Sequence, residues 1–237
     1  MSLLHNQHVF RFLTRWIICG VHTDERVCAL TFDDGPSRRH TPRLLEQLER
    51  HGCPATFFVL GRHARHSPRL LERMAAAGHE IGNHTYNHIY LNLCPNWLAR
   101  RDIVRTGELI EGITGTRPQL LRPPTGWFNQ RILRLIDKLG YKTVLGDVYP
   151  RDPRRPGTQR IVELVMRHVQ PGSIIILHDS SSWGDFDRSQ TLEAVDQIVP
   201  RLKDLDFRLL TVSELIERGS VLRPETIDHR PGGGTRA

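Results

Sequence analysis

Seven short stretches of this chain read as β-strands, and a helical segment follows each of them. That alternation limits the fold more than any other feature. The strand-like stretches are 27–32, 55–60, 80–83, 120–122, 142–145, 173–177 and 207–211. The first helix runs from Thr41, read as an N-cap with Pro42 in the first turn, to about His51. The others are expected near 67–78, 95–113, 129–139, 158–169, 189–202 and 212–218, several of them closed by glycine. Strand–helix alternation implies a parallel sheet with helices outside it. An open doubly wound sheet and a closed barrel both satisfy this pattern.

The residues able to do chemistry favour the barrel. Asp33 and Asp34, His84 and His88, Arg122, Asp147 and Asp152, and His178 and Asp179 each stand at or just beyond the end of a different strand. A barrel gathers groups from many strands on that face, whereas an open sheet concentrates them at one switch point. The expected fold is therefore an α/β barrel of about seven units. Its barrel domain spans 27–218. Residues 1–26 form an N-terminal extension, a short helix or strand packing on the barrel, and 219–237 form a flexible tail.

At 237 residues the chain suits one sizeable core. Its net charge of +7 comes from scattered arginines, with only three lysines, and forms no stripe, so no nucleic-acid partner is expected. None of the four cysteines has Cys-x-x-Cys spacing, which argues against a cysteine zinc site. No apolar run is long enough for a membrane span or a signal peptide, and the default location is cytoplasmic.

The stretch "TFDDGPS" sets two carboxylates side by side after an apolar strand, an arrangement that stability alone would not favour. "GNHTYNH" supplies two imidazoles at i, i+4. One carboxylate with two histidines suits a zinc-like ion and leaves coordination positions open. Asp34, His84 and His88 are the candidate ligands, and Asp33 then faces water as a general base. Arg122, followed by two prolines, can orient the Asp33 carboxylate. His178 ends an apolar strand and can act as a general acid if a carboxylate orients it, Asp152 or Asp147. Two histidines and a carboxylate also suit Fe(II) oxygenases, but the second aspartate and the alternating pattern argue against that reading.

In this order, "TFDDGPS", "GHEIGNHTYNH", "LRPP" and "IIILHD" resemble the polysaccharide deacetylase family, also called carbohydrate esterase family 4 or the NodB-homology domain. The resemblance covers roughly 27–217. It implies a distorted (β/α)7 barrel and a divalent metal, usually zinc. It also implies hydrolysis of acetyl groups on an N-acetylated carbohydrate such as a chitooligosaccharide or peptidoglycan. By position, Asp33 is the base, Asp34, His84 and His88 hold the metal, Arg122 orients Asp33, and His178 is the acid. The Thr125 backbone N–H would stabilise the oxyanion.

Two positions depart from the family pattern. Thr125 stands where an aromatic residue is usual. "GDVYPRDPRRPG" replaces the usual Asp-x-x-Asp-Trp, with Asp152 matching the aspartate that tunes the catalytic histidine and Pro153 replacing the tryptophan. The acetyl pocket is therefore expected to be rebuilt around Tyr149, Trp127 or Trp183, with Ile175 at a position often held by leucine. The altered motif also motivates an alternative, a deacylase of the same fold acting on a non-sugar amide.

Overall fold

The structure is a computed structural model and describes residues 17–184 and 186–223. One sheet runs in the order β1 (Ile17–Ile18), β7 (Lys142–Val144), β6 (Leu120–Leu121), β5 (Glu80–Asn83), β4 (Thr56–Val59), β3 (Val27–Asp33) and β8 (Ile174–His178). A further strand, β9 (Arg208–Leu210), also pairs with β3, and every pairing in this sheet is parallel. Ala29 pairs with Ile174 and with Leu210, so β8 and β9 lie on opposite edges of β3.

The ring closes beyond β7. Val148 bridges to Ile175, and Ile176 N–H donates to the Val148 carbonyl at 2.8 Å. Gly146 permits the bend. Its φ is 144°, and a Cβ there would sit 2.7 Å from Ile176 Cγ1 and 2.8 Å from the Ile174 carbonyl oxygen. β1 occupies the β7 edge away from β6. The result is the expected barrel, distorted because one bridge replaces a full ladder at the closure.

Eight helices surround it among the described residues: α1 (Thr41–Arg50), α2 (Gly61–His66), α3 (Pro68–Ala76), α4 (Asn96–Thr114), α5 (Gln130–Lys138), α6 (Thr158–His168), α7 (Ser189–Asp204) and α8 (Val212–Ile216). The sequence pattern did not foretell α2. "GRHARH" carries no apolar period, and only Gly61 and Ala64 are buried. Nor does Thr41 cap α1. It is the first helical residue, and its hydroxyl donates to the Asp179 carboxylate.

The first and last parts of the described residues pair with each other. β2 (Gly20–His22) pairs antiparallel with β10 (Ser220–Leu222), so the stretch assigned to the tail is strand at least to Leu222. Of the 1–26 extension, expected as a short helix or strand packing on the barrel, the described part forms β1 within the main sheet and β2 beside it. The remaining extension, and the tail from 224, lie outside the described residues. No helix among the described residues is long and apolar enough to cross a membrane.

Strand parity organises the core. Cys28, Leu30, Phe32, Phe57, Val59, Ile175 and Leu177 face outward into the layer beneath the helices. Val27, Ala29, Phe58, Leu120, Val144 and Ile174 face inward and fill the lower barrel. This inner set fixes which residues reach the barrel mouth.

Candidate active site

Counting by twos from the inner set gives Asp33 on β3, His84 after β5, Arg122 after β6 and His178 on β8. All four line one cavity of about 660 Å³, together with Asp34 and His88. The strand-end positions marked in the sequence thus converge on one mouth.

Arg122 Nη1 donates to Asp33 Oδ1 at 2.6 Å and to Thr31 Oγ1 at 2.8 Å. Its guanidinium carbon lies 4.1 Å from the centre of the Phe58 ring. Both members of the pair are buried. Burial alone would raise the Asp33 carboxyl, but Arg122, then His84 and His178, outweigh it and hold it below the ordinary carboxylate range. Asp33 is therefore held ionised in a low-dielectric site.

Asp34 would point outward if β3 continued. It instead takes a left-handed conformation, φ 71°, which turns the second carboxylate toward the same cavity. The carbonyl of Asp34 accepts a hydrogen bond from His63 Nδ1 at 2.7 Å. Thr85 and His88 are left-handed as well, at φ 68° and 58°. Non-glycine residues rarely adopt this region, and such strain clusters at functional sites.

His84 Nε2 lies 3.7 Å, and His88 Nε2 3.3 Å, from Asp34 Oδ1. The three ligand atoms lie within 4.8 Å of one another. Asp34 Oδ1 is buried without a hydrogen-bond partner. His84 Nδ1 donates to the Arg122 carbonyl at 2.7 Å, which leaves the Nε2 lone pair facing Asp34. Burial lowers both histidines, His88 to about 4, so the rings are neutral. A buried orphan carboxylate oxygen facing two neutral imidazole nitrogens fits a divalent cation.

Across the cavity, His178 Nδ1 lies 3.0 Å from Asp152 Oδ1. Asp152 Oδ2 accepts from His178 N–H and from the Thr191 hydroxyl, each at 2.9 Å. Burial by itself would lower His178. Asp152, with Asp33 and Asp34, overcomes this and raises it to about 9, so the ring carries its proton at neutral pH. Asp147, the other candidate partner, is committed elsewhere. It accepts from Ser173 Oγ at 2.8 Å and from Ile174 N–H at 2.7 Å.

A sequence model of the polysaccharide deacetylase family matches residues 20–144, more than half of the chain. The chain belongs to the polysaccharide deacetylase family. It is 38% identical over 205 residues to the peptidoglycan-N-acetylglucosamine deacetylase of Bacillus cereus, covering 86% of this chain and 94% of that protein. It is 36% identical to the chitooligosaccharide deacetylase of a Bradyrhizobium species, covering 78% of this chain and 89% of the relative. A carbohydrate esterase family 4 pseudoenzyme from Bacillus anthracis superposes with a TM-score of 0.78 at 28% identity, covering 87% of this chain and 71% of that one. A member of the family can therefore share this fold as a pseudoenzyme, so an activity must be argued from the residues at the cavity.

Set against the family pattern, the expected substrate-facing residues divide. Thr125 lines the cavity, in a short 3₁₀ turn (Pro124–Gly126), with φ 62°. Tyr149 lines it too, its ring centre 6.1 Å from that of His178. Trp127 does not line it; the ring is exposed and lies 6.0 Å from Tyr90. Ile175 does not either. Parity turns it outward into the core, and its neighbour Ile176 faces the cavity instead. Trp183, Phe186 and Pro153 complete the apolar lining.

Several contributors escaped the sequence reading. Asp102 on α4 is buried and accepts from Tyr86 N–H and Asn87 N–H, both at 2.9 Å, which ties down the loop that carries His88. An aspartate on the buried face of an amphipathic helix was the available signal. His63 lay on the unforeseen helix α2. Arg188, buried against the cavity, stood in a loop without any motif.

Proposed function

We propose that this carbohydrate deacetylase removes the acetyl group of an N-acetylated sugar by hydrolysis, with a divalent cation held by Asp34, His84 and His88. The two-nitrogen, one-oxygen ligand set suits zinc. When bound, such a cation supplies Lewis-acid polarisation of the acetyl carbonyl and lowers the pKa of water from about 15.7 to about 7.

The chain's own groups divide the proton work. Arg122 occupies Asp33 Oδ1, which leaves Oδ2 to take the proton of the attacking water. Asp152 holds His178 through Nδ1, so Nε2–H faces the cavity and donates its proton to the departing sugar nitrogen. Thr125 N–H makes no backbone hydrogen bond among the described residues and is the proposed donor to the developing oxyanion. Acetate and the free amine are the products.

The observation that carries this reading is the opposed protonation of two groups on adjacent strands. Arg122 keeps Asp33 ionised, and Asp152 keeps His178 protonated. The relatives that act on peptidoglycan and chitooligosaccharides support an N-acetylglucosamine-containing substrate. The test is acetate release from chitooligosaccharides, peptidoglycan fragments and a set of non-sugar acetamides, with and without chelator. Chelator-sensitive release from a saccharide is expected. Turnover of the simple amides alone would transfer the site to a non-sugar substrate.

A further inference from the structure

The loop from Asp179 to Arg188, between β8 and α7, forms one wall of the catalytic cavity and ends in a buried cation. Arg188 is 4% exposed and lines the cavity. Its Nε donates to the Ser180 carbonyl at 2.6 Å, and its backbone N–H donates to His40 Nε2 at 3.2 Å. The first contact holds the side chain and the second holds the backbone that carries it. Among the described residues neither terminal nitrogen makes a hydrogen bond, and no carboxylate forms an ion pair with it.

Most acids of the neighbourhood have other partners, and Asp179, at the start of the loop, accepts from the Thr41 hydroxyl and forms no ion pair with Arg188. Asp187 lies 3.4 Å from Arg155, and it accepts from Ser189 Oγ at 2.6 Å. Asp33 is paired with Arg122, Asp152 with His178, and Asp34 faces two imidazoles. A buried guanidinium without a counter-charge is costly, and its free fork matches a carboxylate or phosphate through two parallel N–H bonds. The same loop presents Trp183 and Phe186, 71% and 53% exposed, at the cavity wall. Aromatic faces of this kind can stack on sugar rings.

We propose that Arg188 is a specificity residue that binds an anionic substituent, a carboxylate or a phosphate, on or beside the N-acetylated sugar to be deacetylated. This rests on the deacetylase reading for the identity of the ligand, and on the loop geometry for the anion. Neutral chitooligosaccharides would then be the weaker ligands of this cavity.

The test is calorimetric titration of the full-length, zinc-loaded Asp33→Asn variant, in which turnover does not intrude. One ligand pair is a disaccharide of N-acetylglucosamine and N-acetylmuramic acid, with its carboxylate free or converted to the primary amide. A second pair is N-acetylglucosamine with and without a 6-phosphate. At least one charged ligand should bind about tenfold more tightly than its neutral partner, and the pair that responds identifies the anion. Arg188→Gln, added to that background, should bring the ratio to about one, and Arg188→Lys should keep part of it. Equal binding within both pairs overturns the proposal without recourse to any Arg188 variant, and so does a charge preference that survives Arg188→Gln. Acetate release by the unsubstituted protein is measured separately. Its absence beside an intact charge preference would fault the deacetylase reading and leave the anion site standing.

Discussion

Arg122 Nη1 and Asp33 Oδ1 lie 2.6 Å apart, buried, at the ends of two strands far separated in sequence. The pair sets one carboxylate apart from its neighbour. Asp33 has a cation as its partner, and Asp34 has two neutral imidazoles. Asp33→Asn keeps the shape and removes the base. It should lower kcat by about 10²–10⁴ while zinc content is retained. Acetate release and metal analysis on the same preparation check both halves. Undiminished kcat would assign the base elsewhere.

His84→Ala removes a ligand whose tautomer is set by the Arg122 carbonyl. Zinc affinity should fall by more than the roughly 10–100-fold typical of losing an outer partner. Competition with a chromophoric chelator measures it. Affinity equal to that of the unsubstituted protein would remove His84 from the ligand set.

His178 acts as an acid only while protonated. Its pKa is raised to about 9, so activity should hold through neutral pH and decline as pH rises through about 9. Asp152→Asn withdraws the carboxylate that supports the imidazolium. The alkaline limb should then move down toward the ordinary histidine value of about 6.5. A pH profile of kcat for both proteins checks the direction. An unmoved limb would separate Asp152 from the acid.

Ile175 and Ile176 are neighbours with opposite duties. Ile175→Ala should cost about 2–5 kcal/mol of stability, because it opens a void in the outer core. Ile176→Ala, at the half-buried cavity wall, should cost less stability and change KM instead. Urea unfolding and steady-state kinetics on both variants separate the two faces of β8.

His79 gives a pH dependence remote from the site. It accepts a hydrogen bond from Ala55 N–H at 3.2 Å, and burial lowers it to about 4. Between pH 4 and about 6.5 the unfolded chain binds the proton and the folded one does not, so this contribution to stability falls as pH falls. At pH 5 the loss should be on the order of 1–2 kcal/mol relative to pH 7. Unfolding free energies of the unsubstituted protein and His79→Phe at the two pH values isolate it. A difference between the proteins that is the same at both would refute the assignment.

Much of this molecule was written in local patterns. The repeated strand–helix alternation fixed a parallel α/β architecture, because each apolar strand requires cover on both faces. Motif order and strand-end position singled out Asp33, Asp34, His84, His88, Arg122 and His178. Even the orientation of Ile175 was readable in principle, since side chains alternate along a strand with period two. Other features depended on chain segments distant in sequence meeting in space. Strand-end position left Asp147 and Asp152 both open, the family pattern pointed to Asp152, and the approach of the β7–α6 loop to β8 is what brings Asp152 to His178. Helix α2, with His63 beneath the Asp34 turn, has no apolar period to announce it. The left-handed turn at Asp34 brings two consecutive carboxylates into one cavity, where strand geometry alone would have sent them to opposite faces. Arg188 became informative only once the fold had placed it against that cavity without an ion-pair partner among the described residues. Periodicity and motif are carried by neighbours along the chain, whereas charge pairing and burial are set by neighbours in space.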